Sequence, residues 1–185
     1  MAITYPTTLD NFTNPTTTSL LTSPSHAQQH SDINDAVEAL EAKVAVGNTV
    51  LGTYTSYTPT FANITAGNGT TTGAYCRVNN FVHYYGSFTL GSTSSVTGAI
   101  SINLPINLNA DIQNSFMSYG NCSLYRLSTT SMFQGQTKYN SASSVAVGCT
   151  TVNATYGYYT VANATVPFAW TTGDVIAFNL YYRAV

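Results

Sequence analysis

Charge is what this sequence has least of. Only 6% of its residues are Asp, Glu, Lys or Arg, against about 25% in an average soluble domain. Five basic residues face seven acidic ones, for a formal net charge of -2. A nucleic-acid surface neutralises phosphates with clustered Lys and Arg, so that class of partner is not expected. So weakly charged a chain has little self-repulsion to keep its copies apart, and the composition makes most sense if much of the surface is buried between copies. Cysteine is scarce as well: Cys76, Cys122 and Cys149 are widely spaced and form no C-x-x-C pair. An odd, dispersed set is neither a disulfide framework nor a zinc site. Free thiols, buried or half-buried, in a chain made in a reducing cytoplasm are the expectation. The opening Met1-Ala2-Ile3-Thr4-Tyr5-Pro6 has neither the basic nor the apolar region of a secretory signal. No apolar run approaches the roughly 18 to 20 residues of a membrane span.

Thr, Ser, Asn and Gly fill the place of the missing charge, together with 14 Tyr and 8 Phe. Thr and aromatic side chains suit a pleated, half-buried surface, so strands are favoured. Three zones follow from the local composition. Residues 1–30 hold Pro6, Pro15 and Pro24 among Thr, Ser and Asn without periodicity, the signature of an extended arm ordered only against a partner. Residues 31–47 read as the one helix. Ser31 or Asp32 can cap it, and Gly47 offers a stop. Within it Ile33, Val37, Leu40 and Val44 are spaced by four, three and four residues, a heptad seam two repeats long. This is the pattern of a short oligomerisation coil. A helix of this length is marginal alone and needs contacts between the heads to hold it.

Residues 53–185 read as strands throughout. Asn79-Asn80 joins Gly73–Val78 to Phe81–Leu90 as a tight hairpin, and Ala99–Leu104 alternates cleanly. Further strands are expected at Phe116–Tyr125, Ser131–Tyr139, Val145–Val152, Tyr156–Val161 and Val175–Tyr182. Strand signals every 10 to 15 residues with no helical period between them predict an antiparallel, jelly-roll-like β-sandwich of about eight strands. The fold class is therefore mainly β: an arm, a short coil and a sandwich head.

Two stretches resemble a known family. Ser23-Pro24-Ser25-His26-Ala27-Gln28-Gln29-His30-Ser31-Asp32-Ile33-Asn34-Asp35-Ala36-Val37-Glu38-Ala39-Leu40-Glu41-Ala42-Lys43-Val44 is similar to an N-terminal module of tailed-bacteriophage structural proteins. In the head, Tyr54–Phe61, Leu90–Gly98 and Pro167–Ile176 resemble phage fibre tips. The resemblance implies a homotrimeric virion surface fibre with a β-barrel head, attached to other phage structural proteins of the capsid or tail through residues 1–30. It also implies a head that adheres to the host surface. A capsid decoration protein without receptor binding is the alternative, and a glycan-cleaving spike a remote one. No membrane insertion is expected.

No motif points to an enzyme. Glycoside hydrolysis needs two carboxylates about a bond, and beyond the coil only Asp111 and Asp174 are present, far apart in sequence. His83 lies mid-strand and no G-x-S-x-G occurs. His26 and His30, four apart, have a spacing at which two imidazoles can share a metal on a helical face. Lacking the Glu of H-E-x-x-H, they are expected to form a polar pre-helix segment that hydrogen-bonds the particle or neighbouring chains. No cofactor or metal is expected. Aromatic and Asn-rich surfaces do suit sugars, which stack on rings and bond to amides. Tyr125, Tyr139, Tyr156, Tyr158 and Tyr159 are the candidate contacts for a host glycan.

Overall fold

A computed structural model describes residues 25–44, 52–152 and 155–185. The chain divides into two compact units between Thr53 and Tyr54. In the first, α1 spans His26–Val44. It begins before Ser31, so neither expected cap is the cap. Ser25 takes that role: its Oγ accepts the Gln28 N–H at 3.1 Å, and its carbonyl accepts the Gln29 N–H at 3.0 Å. A Ser after Pro24 meets the N-cap requirement as well as Ser31 does, and His, Ala and Gln tolerate the first turn. Asp32, freed from capping, instead accepts a 2.8 Å hydrogen bond from Gln28 Nε2 one turn back. The expected arm of residues 1–30 otherwise falls outside the described residues up to 24, and Gly47 does as well.

The second unit is mainly β and antiparallel. Its strands are β1 (Thr55–Ser56), β2 (Phe61–Thr65), β3 (Thr70–Val78), β4 (Phe81–Thr89), β5 (Ser95–Asn103), β6 (Ser118–Arg126), β7 (Ser131–Ser141), β8 (Ser144–Val152), β9 (Gly157–Val161) and β10 (Val175–Arg183). One curled sheet runs β1-β3-β4-β10-β6-β7-β8-β5-β2, with β9 also on β8. Every strand expected from the sequence is present. Asn79 takes the positive φ of 54° that the β3–β4 hairpin needs.

Alternation decides what the sheet buries. On β4 Val82, Tyr84 and Phe88 point inward, and on β10 Ile176, Phe178, Leu180 and Tyr182 do the same. All of these but Phe88 meet Ile100 and Ile102 of β5, Leu124 of β6, and Val145 and Val147 of β8 in one core. The three cysteines are free and buried. Burial pushes the Cys122 thiol up to about 12, and its Sγ lies 3.1 Å from the Gly148 carbonyl.

β1 and β2 were not expected as strands, and they close the sheet. β1 pairs with β3 at one end of the strand order and β2 with β5 at the other. Between them the chain stays bonded on both sides: the Tyr57 N–H reaches the Gly73 carbonyl at 3.0 Å, and the Asn103 N–H reaches the Thr60 carbonyl at 2.9 Å. One stretch of backbone thus stitches together what would be two open edges. Pro59 at its middle hid the strand signal, since proline interrupts a ladder. Its ring sits over the cross-strand pair Gly73 and Gly86, where an added Cβ would come within 2.7 Å and 2.8 Å of Pro59 Cγ. The closing stretch carries Tyr57 and Phe61 into a row of inner rings. Tyr57 lies 5.5 Å from Tyr84, Tyr84 4.9 Å from Phe178, Phe178 6.3 Å from Phe61, and Phe61 5.6 Å from Phe88, centroid to centroid.

Within that row the Tyr84 hydroxyl is buried and has no hydrogen-bond partner among the described residues. Burial raises its ionisation well above the ordinary phenol range. A buried hydroxyl without a partner carries its full desolvation cost. Tyr84→Phe should therefore stabilise the head by about 1 kcal/mol, read as a higher midpoint in urea unfolding. A lower midpoint would mean that the hydroxyl has a partner in solution.

Candidate functional site

The seam residues stand on α1 with nothing covering them among the described residues. Ile33 is 56% exposed, Val37 47% and Leu40 53%. Helical spacing of four and three sets them along one stripe. The side chain of Val44, fourth in the expected seam, lies outside the described residues. An exposed stripe of large aliphatic side chains on a single helix is the surface that a coiled-coil partner buries.

The five candidate tyrosines do not form one platform. Tyr125 lies half-buried near one end of the β6–β7 pair, opposite Met132, whereas Tyr139 lies toward the other end. Tyr139 packs against the core and its hydroxyl reaches Gln113 Oε1 at 3.5 Å. The Tyr159 ring covers Gly148, with Lys138 Nζ 4.3 Å from its centroid, and burial pushes its hydroxyl up to about 12. Tyr156, just before β9, and Tyr158, its second residue, are the two that are exposed.

A different aromatic face emerges on the outside of β3, β4 and β10. Alternation turns Phe81, His83 and Tyr85 outward, away from Val82 and Tyr84. Tyr181 of β10 is paired directly with His83, and the two rings stack at 4.4 Å and 5°. Tyr181 also stacks on Phe81 at 6.1 Å, and Tyr54 closes the group with its ring 5.5 Å from both His83 and Tyr85. Tyr54, Phe81, Tyr85 and Tyr181 are each between 42% and 52% exposed. His83 is fixed in the middle: Nε2 lies 2.5 Å from Asn179 Oδ1 and Nδ1 lies 2.5 Å from the Tyr54 hydroxyl. In the Nε2–H tautomer both bonds form, the imidazole donating to the amide and accepting from the phenol. Beside the rings Val78, Asn79, Asn80, Phe81 and Arg183 line an open depression of about 290 Å³. The signal for this face was present as aromatic residues at positions 81, 83 and 85. It was hidden because the alternate positions 82, 84 and 88 are just as apolar, so alternation alone does not say which set faces water.

The two head carboxylates are apart and separately engaged. Asp111 forms an ion pair with Arg183 on the exposed surface. Asp174 is fully buried and accepts from the Leu127 N–H at 2.9 Å, the Thr171 N–H at 2.7 Å and the Thr171 hydroxyl at 3.2 Å. It ties the turn before β10 to the end of β6.

No protein-family model matches the sequence, and no curated protein matches it. Among solved structures, avian reovirus sigmaC residues 117–326 is similar at 14% sequence identity with a TM-score of 0.43. The match covers 88% of this chain and 92% of that one.

Proposed function

We propose that the chain is a homotrimeric surface fibre of a tailed-bacteriophage particle. Its first residues anchor it to capsid or tail proteins, α1 gathers three copies, and the β head adheres to the host surface. The observation that carries this reading is the uncovered seam Ile33, Val37 and Leu40 on a 19-residue helix. A stripe of that kind on so short a helix is stable only when copies of it pack together. The sequence resemblance of residues 23–44 to a phage anchoring module supports the same assignment.

The adhesive surface in this reading is the aromatic face. Rings that are exposed and held rigidly by stacking meet the apolar faces of a sugar at little entropic cost. Asn79 and Asn80 beside them offer amides for sugar hydroxyls. The partner is a host-surface glycan. Tyr181→Ala removes the ring that bridges Phe81 and His83 while leaving the inward face of β10 intact. Particles carrying it should adsorb to host cells at least about tenfold more slowly, a loss of roughly 1.4 kcal/mol in contact energy. Their content of this chain, measured by quantitative mass spectrometry of purified particles, should not change. Normal adsorption by fully loaded particles would remove the glycan role, and a chain that never co-purifies with particles would remove the fibre itself.

A further inference from the structure

We infer that His26 and His30 form a chelating site for a divalent transition-metal ion such as Zn²⁺ or Ni²⁺ at the N-terminal end of the coil. Both residues are exposed on the first turns of α1, and their Nε2 atoms lie 3.1 Å apart. The rings meet edge to face, with centroids 4.4 Å apart. A zinc ion about 2.05 Å from each of two nitrogens separated by that distance subtends about 98° between them. That angle lies between square-planar and tetrahedral values, and each ring turns from its partner's nitrogen to aim its own at the ion. In the metal-free pair one imidazole donates its Nε2–H to the other's lone pair. With metal, that ring moves its proton to Nδ1 and both Nε2 lone pairs point at the ion. No Lys or Arg occurs between Ser25 and Leu40 to oppose a cation.

The pair also has a place in the heptad. Stepping back from Ile33 by three and then four residues reaches His30 and His26. The succession His26, His30, Ile33, Val37, Leu40, Val44 therefore keeps the alternation of four and three without a break. The imidazoles continue the seam that the aliphatic residues define. In a parallel bundle of identical chains, residues at seam positions face the axis. Three such pairs would surround one ion and fill the positions that a single pair leaves to water. This gathering rests on the trimer reading, whereas the chelating pair within one helix does not.

The test uses the full chain after treatment with EDTA, titrated calorimetrically with Zn²⁺ and, separately, Ni²⁺, and followed by sedimentation velocity. Binding should be saturable for the natural chain, and unchanged in His83→Ala, which keeps the pair and removes the third histidine. It should weaken at least about tenfold in His26→Ala and in His30→Ala. The metal-loaded natural chain should hold together as a trimer at lower protein concentration than the metal-free one. Binding that survives both single substitutions, or no binding at millimolar metal, overturns the site. A chain that is trimeric yet binds no metal overturns the site and leaves the fibre reading standing. A monomer that binds through His26 and His30 keeps the chelating pair and removes the trimer.

Discussion

Leu40→Asp should splay the proposed coil and weaken assembly by several orders of magnitude. Each Leu buried in the coil contributes about 2 kcal/mol, so three per trimer amount to about 6 kcal/mol. At about 1.4 kcal/mol per tenfold, that alone weakens assembly about 10⁴-fold. Three carboxylates forced together at one layer add their desolvation and mutual repulsion. Asn34→Asp, which adds the same charge one residue beyond Ile33 and off the seam, should leave the mass unchanged. Sedimentation velocity of both variants at low micromolar concentration distinguishes them. If Leu40→Asp keeps the mass of the natural chain, α1 is not the element that joins the copies.

The second large effect is expected at Asp174→Ala in the head. Its carboxylate is the acceptor for the backbone N–H groups of Leu127 and Thr171 at the corner between the end of β6 and the start of β10, where Asp174 itself is buried and the two donor residues are partly exposed. Removing it strands two donors, each at about 1 to 3 kcal/mol. The expected loss is about 4 kcal/mol, enough to lower the melting temperature by more than about 10 °C in a domain of this size. The same turn carries Gly173 at a φ of 87°, so the corner depends on both residues. Calorimetry of the isolated variant reads the shift. A fall of only one or two degrees would show that water replaces the carboxylate, and that the turn is held by Gly173 and the Leu90 to Asp174 backbone bond instead.

The head was legible wherever one face of a strand is apolar and the ends are marked by Gly or Asn. β3 and β4 were readable because Asn79-Asn80 has no reading other than a turn, and β10 because Gly173-Asp174 precedes an apolar run. β1 and β2 were not, because Pro59 interrupts them and their pairing is with strands at opposite ends of the sheet, which no local pattern encodes. The helix was legible as a stripe, but its start was placed too late. Ser25, Ser31 and Asp32 are equally good caps by residue type, and only the backbone shows which one is used. That misplacement mattered, since it put His26 and His30 in a polar pre-helix segment although their spacing suits a shared ion. The aromatic face was missed for a parallel reason. The candidate tyrosines were taken from positions 125 to 159, whereas the outward rings share β4 with the core.

The way the chain enters the head bears on a load that none of the equilibrium experiments applies. In the proposed fibre, held at one end and adherent at the other, tension along the chain would reach the head at Tyr54. That residue is fastened at once to His83, and the strand after it is bonded first to β3 and then, past Pro59, to β5. Tension therefore does not peel a single edge strand from one neighbour, bond by bond. It is divided between the two ends of a closed sheet and must shear the ring row behind Tyr57 and Phe61 before the barrel opens. The head should yield late and abruptly under traction.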